Sequence, residues 1–188
     1  MSSPDKFRLQ AEQSLLLVID VQERLSTAME QGELHRVVKN SGILLESAQA
    51  LTVPVVVTEQ YVKGLGPTLE VLKEKMEGAT FHEKISFSCC GNEDFMSQMR
   101  KSGRRQVVVC GMETHVCVLQ TVLDLLHEGF VVHIVKDAVM SRSSANRDTA
   151  IEAMVLAGAV PTSTESVVFQ WLKVAGTDVF KQISKLVK

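Results

Sequence analysis

Residues 14–21 read Ser-Leu-Leu-Leu-Val-Ile-Asp-Val, an almost continuous apolar run that ends in an acid. A strand buried on both faces has this pattern, and residues 106–110 (Gln-Val-Val-Val-Cys) repeat it. Between these runs the period changes. From Glu33 to Leu51, apolar Val37, Leu44, Ala48 and Leu51 recur at helical spacing. Val53 to Thr58 predicts a second strand, with Pro54 near its start, where a missing N–H matters little. Residues 59–67 carry two glycines and a proline and predict an irregular loop, with a helix from Thr68 to Glu77 after it.

The pattern goes on alternating. Phe81 opens a short strand-like piece, and Asn92 predicts the N-cap of a helix to Lys101, stopped by Gly103. After strand 106–110, apolar residues cover much of a helix predicted from Thr114 to His127. A strand Val131–Val135 runs on toward Asp137, and Ser143 or Ser144 caps a helix reaching Ala157. A short strand at Ala159–Pro161 precedes Thr162-Ser163-Thr164-Glu165, which has capping-box spacing and opens a helix through Leu172. An amphipathic helix from Asp178 to Val187 comes last. Six strand-like segments alternating with helices predict a three-layer α/β/α sandwich around a mostly parallel, Rossmann-like sheet. With 188 residues and no low-complexity linker, one domain spanning 1–188 is expected.

Composition narrows the function. The formal charge of −2 leaves no basic footprint for nucleic acid, and the apolar runs are too short to span a membrane. No apolar leader follows Met1, so reduced thiols in a cytoplasmic setting are expected for the four cysteines. Neither Gly-x-Gly-x-x-Gly nor a P-loop follows the first strand, so dinucleotide and P-loop chemistry lose support. A small-molecule substrate is the remaining expectation.

Three residues then stand out. Asp20 ends the first strand, where functional groups of open α/β sheets collect. Lys84 stands among apolar and small residues, and Cys117 lies at the start of a predicted helix. Amides at such a start favour a thiolate and an oxyanion alike. Read singly, each has a plain alternative: a turn-capping acid, a solvated lysine, a small buried hydrophobe.

Taken together, Leu-Val-Ile-Asp-Val-Gln at 17–22, Lys84 and Gly-Met-Glu-Thr-His-Val-Cys-Val at 111–118 resemble the isochorismatase-like cysteine hydrolases. That family includes nicotinamidases and N-carbamoylsarcosine amidohydrolase, and the resemblance runs from Leu15 to about Leu172. Thr58-Glu59-Gln60-Tyr61 with Lys63-Gly64-Leu65-Gly66-Pro67-Thr68 is closer to its isochorismatase domain-containing subgroup, whose substrate is generally not established.

The resemblance implies Cys117 as nucleophile, Asp20 as general acid and base, and Lys84 as the cation that stabilises the thiolate. It also implies a non-proline cis peptide at Met112–Glu113 and oxyanion donors from the backbone amides of Glu113 and Cys117, with no demand on the Glu113 side chain. Gln22, Glu59, Gln60, Tyr61, Phe87 and His115 are candidate pocket walls. Cys89 and Cys90 are read as packing or surface thiols and Cys110 as core. Metal-dependent relatives carry Asp-x-His after the second strand; here that place holds Glu59-Gln60-Tyr61, so neither a metal nor any other cofactor is expected. Cleavage of a small amide or related C–N bond is the first expectation. Vinyl-ether hydrolysis of the isochorismate type, a non-catalytic binding or assembly module, and a peroxide-responsive thiol protein are the alternatives. A homo-oligomer is implied by the resemblance.

Overall fold

A computed structural model describes residues 4–187; Met1 to Ser3, at the head of the polar start, and Lys188 lie outside it. The strands are β1 (Ser14–Ile19), β2 (Val55–Gln60), β3 (Thr80–Lys84), β4 (Gln106–Met112), β5 (Val131–Met140) and β6 (Val160–Thr162). They form one sheet in the order β3-β2-β1-β4-β5-β6, every neighbouring pair parallel. The helices that flank it are α1 (Gln31–Ala50), α2 (Glu93–Lys101), α3 (Leu119–His127), α4 (Ser144–Leu156), α5 (Thr164–Leu172) and α6 (Asp178–Ile183).

Side chains alternate along a strand, so the continuous runs of β1 and β4 feed two cores. Leu16, Val18, Val57 and Val108 pack with Val37, Leu44 and Ala48 of α1 and Val167 and Trp171 of α5. Leu15, Leu17, Ile19, Val107 and Val109 face the other way, onto Phe95 and Met99 of α2, Val122 and Leu125 of α3 and Met154 of α4. Both faces are therefore covered, which is why these strands show no polar alternation. The topological switch lies between β1 and β4, whose carboxyl ends bring Ile19 and Gly111 side by side.

Several local expectations need correction. Strand β5 continues past Val135 to Met140, its pairing with β4 jumping from Val109–Ile134 to Gly111–Val139. Lys136 and Asp137 look like a strand end, but distant groups hold the irregular stretch. Asp137 Oδ1 accepts from the N–H and hydroxyl of Thr164, and its carbonyl accepts from Asn40 Nδ2. The helix expected over Thr68–Glu77 is a single turn, Glu70–Lys73, because Thr68 is tied to the Glu59 carboxylate instead. Helix α1 starts at Gln31, capped by Glu30, whose carboxylate accepts from the N–H groups of Gly32 and Glu33. Thr162 belongs to β6, so Ser163 caps α5 by accepting from the N–H of Ser166. The last helix is capped by Thr177 and ends at Ile183, not Val187. Asn92 and Ser143 do cap α2 and α4. Among the described residues no helix is long and apolar enough to cross a membrane.

Candidate active site

The carboxyl ends of β1, β2, β3 and β4 converge on one buried cluster. Asp20 follows β1 with φ +51, a left-handed conformation uncommon outside glycine. Its N–H donates to the Thr58 carbonyl (3.1 Å), and its carbonyl accepts from the N–H of Gln22 (2.9 Å). The carboxylate is fully buried. Oδ1 accepts from the Thr58 hydroxyl (2.8 Å) and Oδ2 from Lys84 Nζ (2.7 Å).

Lys84 is the last residue of β3. Its Nζ also reaches Gln60 Oε1 (2.8 Å) and the carbonyls of Phe87 (3.1 Å) and Ser86 (3.3 Å). Burial works against its charge, yet Asp20 and then the nearby thiols of Cys89 and Cys117 outweigh that and hold the ammonium above its ordinary value. The side chains of the pair are 1% and 0% exposed, so this ion pair is held in the interior rather than screened at the surface.

Cys117 arrives from β4. Gly111 makes that approach feasible: its φ is +126, and an added Cβ would stand 2.1 Å from the Ile19 carbonyl oxygen. The Met112–Glu113 peptide is cis. The chain then enters a π-type turn over Thr114–Val118, and regular helix starts only at Leu119, so the expected helix start is displaced. Cys117 is 6% exposed and lies close enough to Asp20 for the carboxylate charge to act on its thiol. Burial raises its thiol well above the ordinary range, the Asp20 charge adds to this, and Lys84 only partly offsets them. The resting thiol is therefore protonated. A lysine-stabilised resting thiolate was the expectation; Lys84 is paired to Asp20 and only partly offsets the rise at the thiol.

The structure assigns the candidate walls unequal places. Gln22 is fully buried and acts as a bracket. Its Nε2 donates to the carbonyls of Gln60 (3.0 Å) and Gly66 (2.6 Å), and its Oε1 accepts from the N–H of Gln60 (2.7 Å). Gln60 points at Lys84 and donates to the Ile85 carbonyl, while Glu59 ties down Thr68. None of the three is an open wall. Tyr61 and Phe87 stand at the rim, 47% and 54% exposed. His115 Nδ1 meets the Ser141 hydroxyl at 2.9 Å. The Glu113 carboxylate pairs with Arg142.

Three groups of the site were not singled out in the sequence. Thr58 steadies Asp20, and Thr121 bridges the N–H of Cys89 to the carbonyl of Cys117. Cys89, read as a packing or surface thiol, packs in the interior: it lies 3.5 Å from the Thr58 hydroxyl, and burial pushes it up to about 11 with Asp20 second. Arg142 is the third group. A polar residue late in a buried strand flags Thr58; nothing in the linear pattern flags the others. Cys110 is core, its thiol raised to about 12 by burial. Cys90 is half-buried and reaches about 12 for the same reason, with the Cys89 thiol second. Among the described residues no three His, Cys, Asp or Glu side chains converge as a metal-binding group.

Comparison with known proteins agrees with this fold. A model of the Isochorismatase domain matches residues 14–166. The chain belongs to the isochorismatase-like hydrolases. A secreted isochorismatase effector, Isc1, of Phytophthora sojae is 42% identical over 185 residues, covering 96% of this chain and 87% of that one. The MAR1 ribonuclease of Caenorhabditis elegans superposes with a TM-score of 0.90 at 36% identity, over 96% of this chain and 92% of that one. The YcaC gene product of Escherichia coli, an octameric hydrolase of unknown specificity, gives 0.88 at 25% identity, over 95% and 88%.

Proposed function

We propose that this isochorismatase-like hydrolase is a metal-independent cysteine hydrolase that cleaves a small-molecule amide or related C–N bond through an acyl-cysteine intermediate. The observation that carries the reading is the buried Asp20–Lys84 ion pair (2.7 Å) with the buried Cys117 thiol close enough to feel the Asp20 charge. A protonated resting thiol calls for a base within reach, and Asp20 is that base. As sulfur bonds to the carbonyl carbon, the thiol proton passes to Asp20. The C=O π pair moves onto oxygen, facing the backbone amides of Glu113 and Cys117. Collapse expels the amine, which leaves with the proton from Asp20. Asp20 then takes a proton from water as the water attacks the thioester; the C–S bond breaks, the acid product leaves, and Asp20 returns the proton to the Cys117 sulfur. Lys84 stays an ammonium throughout and offsets the negative charge that moves between carboxylate, sulfur and oxyanion.

The exposed rim of Tyr61, Ile85 and Phe87 supports self-association, and the octameric hydrolase relative supports it further. Four unpaired cysteines support a reducing, cytoplasmic setting. Hydrolysis of a panel of small amides by wild type and Cys117→Ala tests the reading. Turnover that disappears in the variant is expected; equal turnover in both would end the nucleophile assignment. A non-catalytic binding module is the second reading, favoured by the low exposure of Cys117, and it gains if no amide in the panel is turned over.

A further inference from the structure

Glu113 supplies a backbone amide to the proposed oxyanion site, yet its side chain brings a carboxylate to the same turn, only 8% exposed. Oε1 accepts from Arg142 Nε at 2.8 Å and from the Arg142 N–H at 3.2 Å. Arg142 lies just past β5. Because Met112 is in register with Met140, Glu113 and Arg142 prolong the β4–β5 pairing beyond the sheet. The 2.9 Å contact between His115 and Ser141 forms a second link between the same two segments.

Negative charge develops beside this turn when a carbonyl is attacked, and a bare carboxylate there opposes it strongly, because little water screens the two. We infer that Arg142 is a positioning residue which, by pairing with Glu113, neutralises the oxyanion turn and holds it in place. This rests on Cys117 being the nucleophile. The side chain at Glu113 then matters through its charge, contrary to the expectation that only its amide does.

Two probes separate oxyanion chemistry from thiol chemistry. With p-nitrophenyl acetate the sulfur–carbon bond forms, the C=O pair moves to oxygen and returns, and p-nitrophenolate leaves while the thiol proton goes to Asp20. With iodoacetamide the sulfur–carbon bond forms as the carbon–iodine bond breaks, iodide leaves and the thiol proton goes to Asp20. No oxyanion arises.

Arg142→Ala is expected to slow acylation of Cys117 about tenfold or more while alkylation stays within about twofold of wild type. Adding Glu113→Gln to Arg142→Ala removes the unpaired charge and is expected to recover most of the lost acylation rate. Arg142→Gln, which keeps a hydrogen-bond donor, serves if the alanine variant fails to fold, as judged by thermal unfolding. Acylation and alkylation slowing together, or a double variant no faster than Arg142→Ala, would overturn the inference. Wild-type protein that takes neither reagent at Cys117 overturns the nucleophile reading and this inference with it. Wild type and Arg142→Ala acylating equally overturns this inference alone.

Discussion

Replacing Lys84 by methionine removes the ammonium from the Asp20 carboxylate and leaves the chain's length and apolar stem in place. In the native protein that ammonium satisfies Asp20 Oδ2, Gln60 Oε1 and two backbone carbonyls, all in the interior. The variant keeps one hydrogen bond to Asp20, from the Thr58 hydroxyl, and a buried negative charge with no cation beside it. Breaking one side of a buried pair costs about 3–5 kcal/mol. Asp20→Asn alone should cost a similar amount, since it strands the ammonium instead. The double variant Asp20→Asn/Lys84→Met buries two neutral groups and should be less destabilised than the sum of the singles by about 2 kcal/mol or more. Urea unfolding of the four proteins at one pH gives the cycle, with unchanged m-values showing that the same surface unfolds. If Lys84→Met costs under about 1 kcal/mol, or the two changes simply add, the interior ion pair described here is not what organises the site.

Two further predictions concern the frame around the site. His133 lies fully buried in β5, neither ring nitrogen makes a hydrogen bond of ordinary geometry, and burial pushes its imidazole down to about 4 from 6.5. The unfolded chain therefore takes up the proton first. Stability should fall as pH drops below about 6.5 and level off below about 4, by about 2 kcal/mol at pH 5. His133→Leu should flatten that part of a urea-midpoint profile, and an unchanged slope would refute the assignment. Gly111→Ala should cost about 3 kcal/mol or more, because its Cβ would collide with the Ile19 backbone at a positive φ. Wild-type-like unfolding of that variant would show that β1 and β4 can part at the site without penalty.

What was legible in the chain follows from the range of the interactions. β1 and β4 were readable because burial on both faces leaves an unbroken apolar run that little else imitates. The far half of β5 was not, because Lys136 and Asp137 are polar and are satisfied by Asn40 and Thr164, partners remote in sequence. Glu30 was missed as a cap because glutamate caps less often than Ser, Thr, Asp or Asn. Asp20, Lys84 and Cys117 could be grouped by the family motifs, and they do share one cluster. Their protonation could not be read, since it depends on burial and on which pair forms: Lys84, paired to Asp20, only partly offsets the rise at the thiol. Gln22 and Gln60, read as walls, proved to be braces, because their amides find backbone groups across the β2 loop. Cys89 and Arg142 enter the site only by folding across strands.

The central claim is that Cys117 carries an acyl group during turnover. Acid quenching within the first turnovers on a hydrolysed amide, or on p-nitrophenyl acetate, followed by peptide mass spectrometry, tests it directly. The predicted result is an acyl mass increment on the peptide containing Cys117 in wild type, absent in Cys117→Ala and accumulating more slowly in Asp20→Asn. An increment on Cys89 or Cys90 instead, or steady hydrolysis by Cys117→Ala with no adduct in either protein, would contradict it.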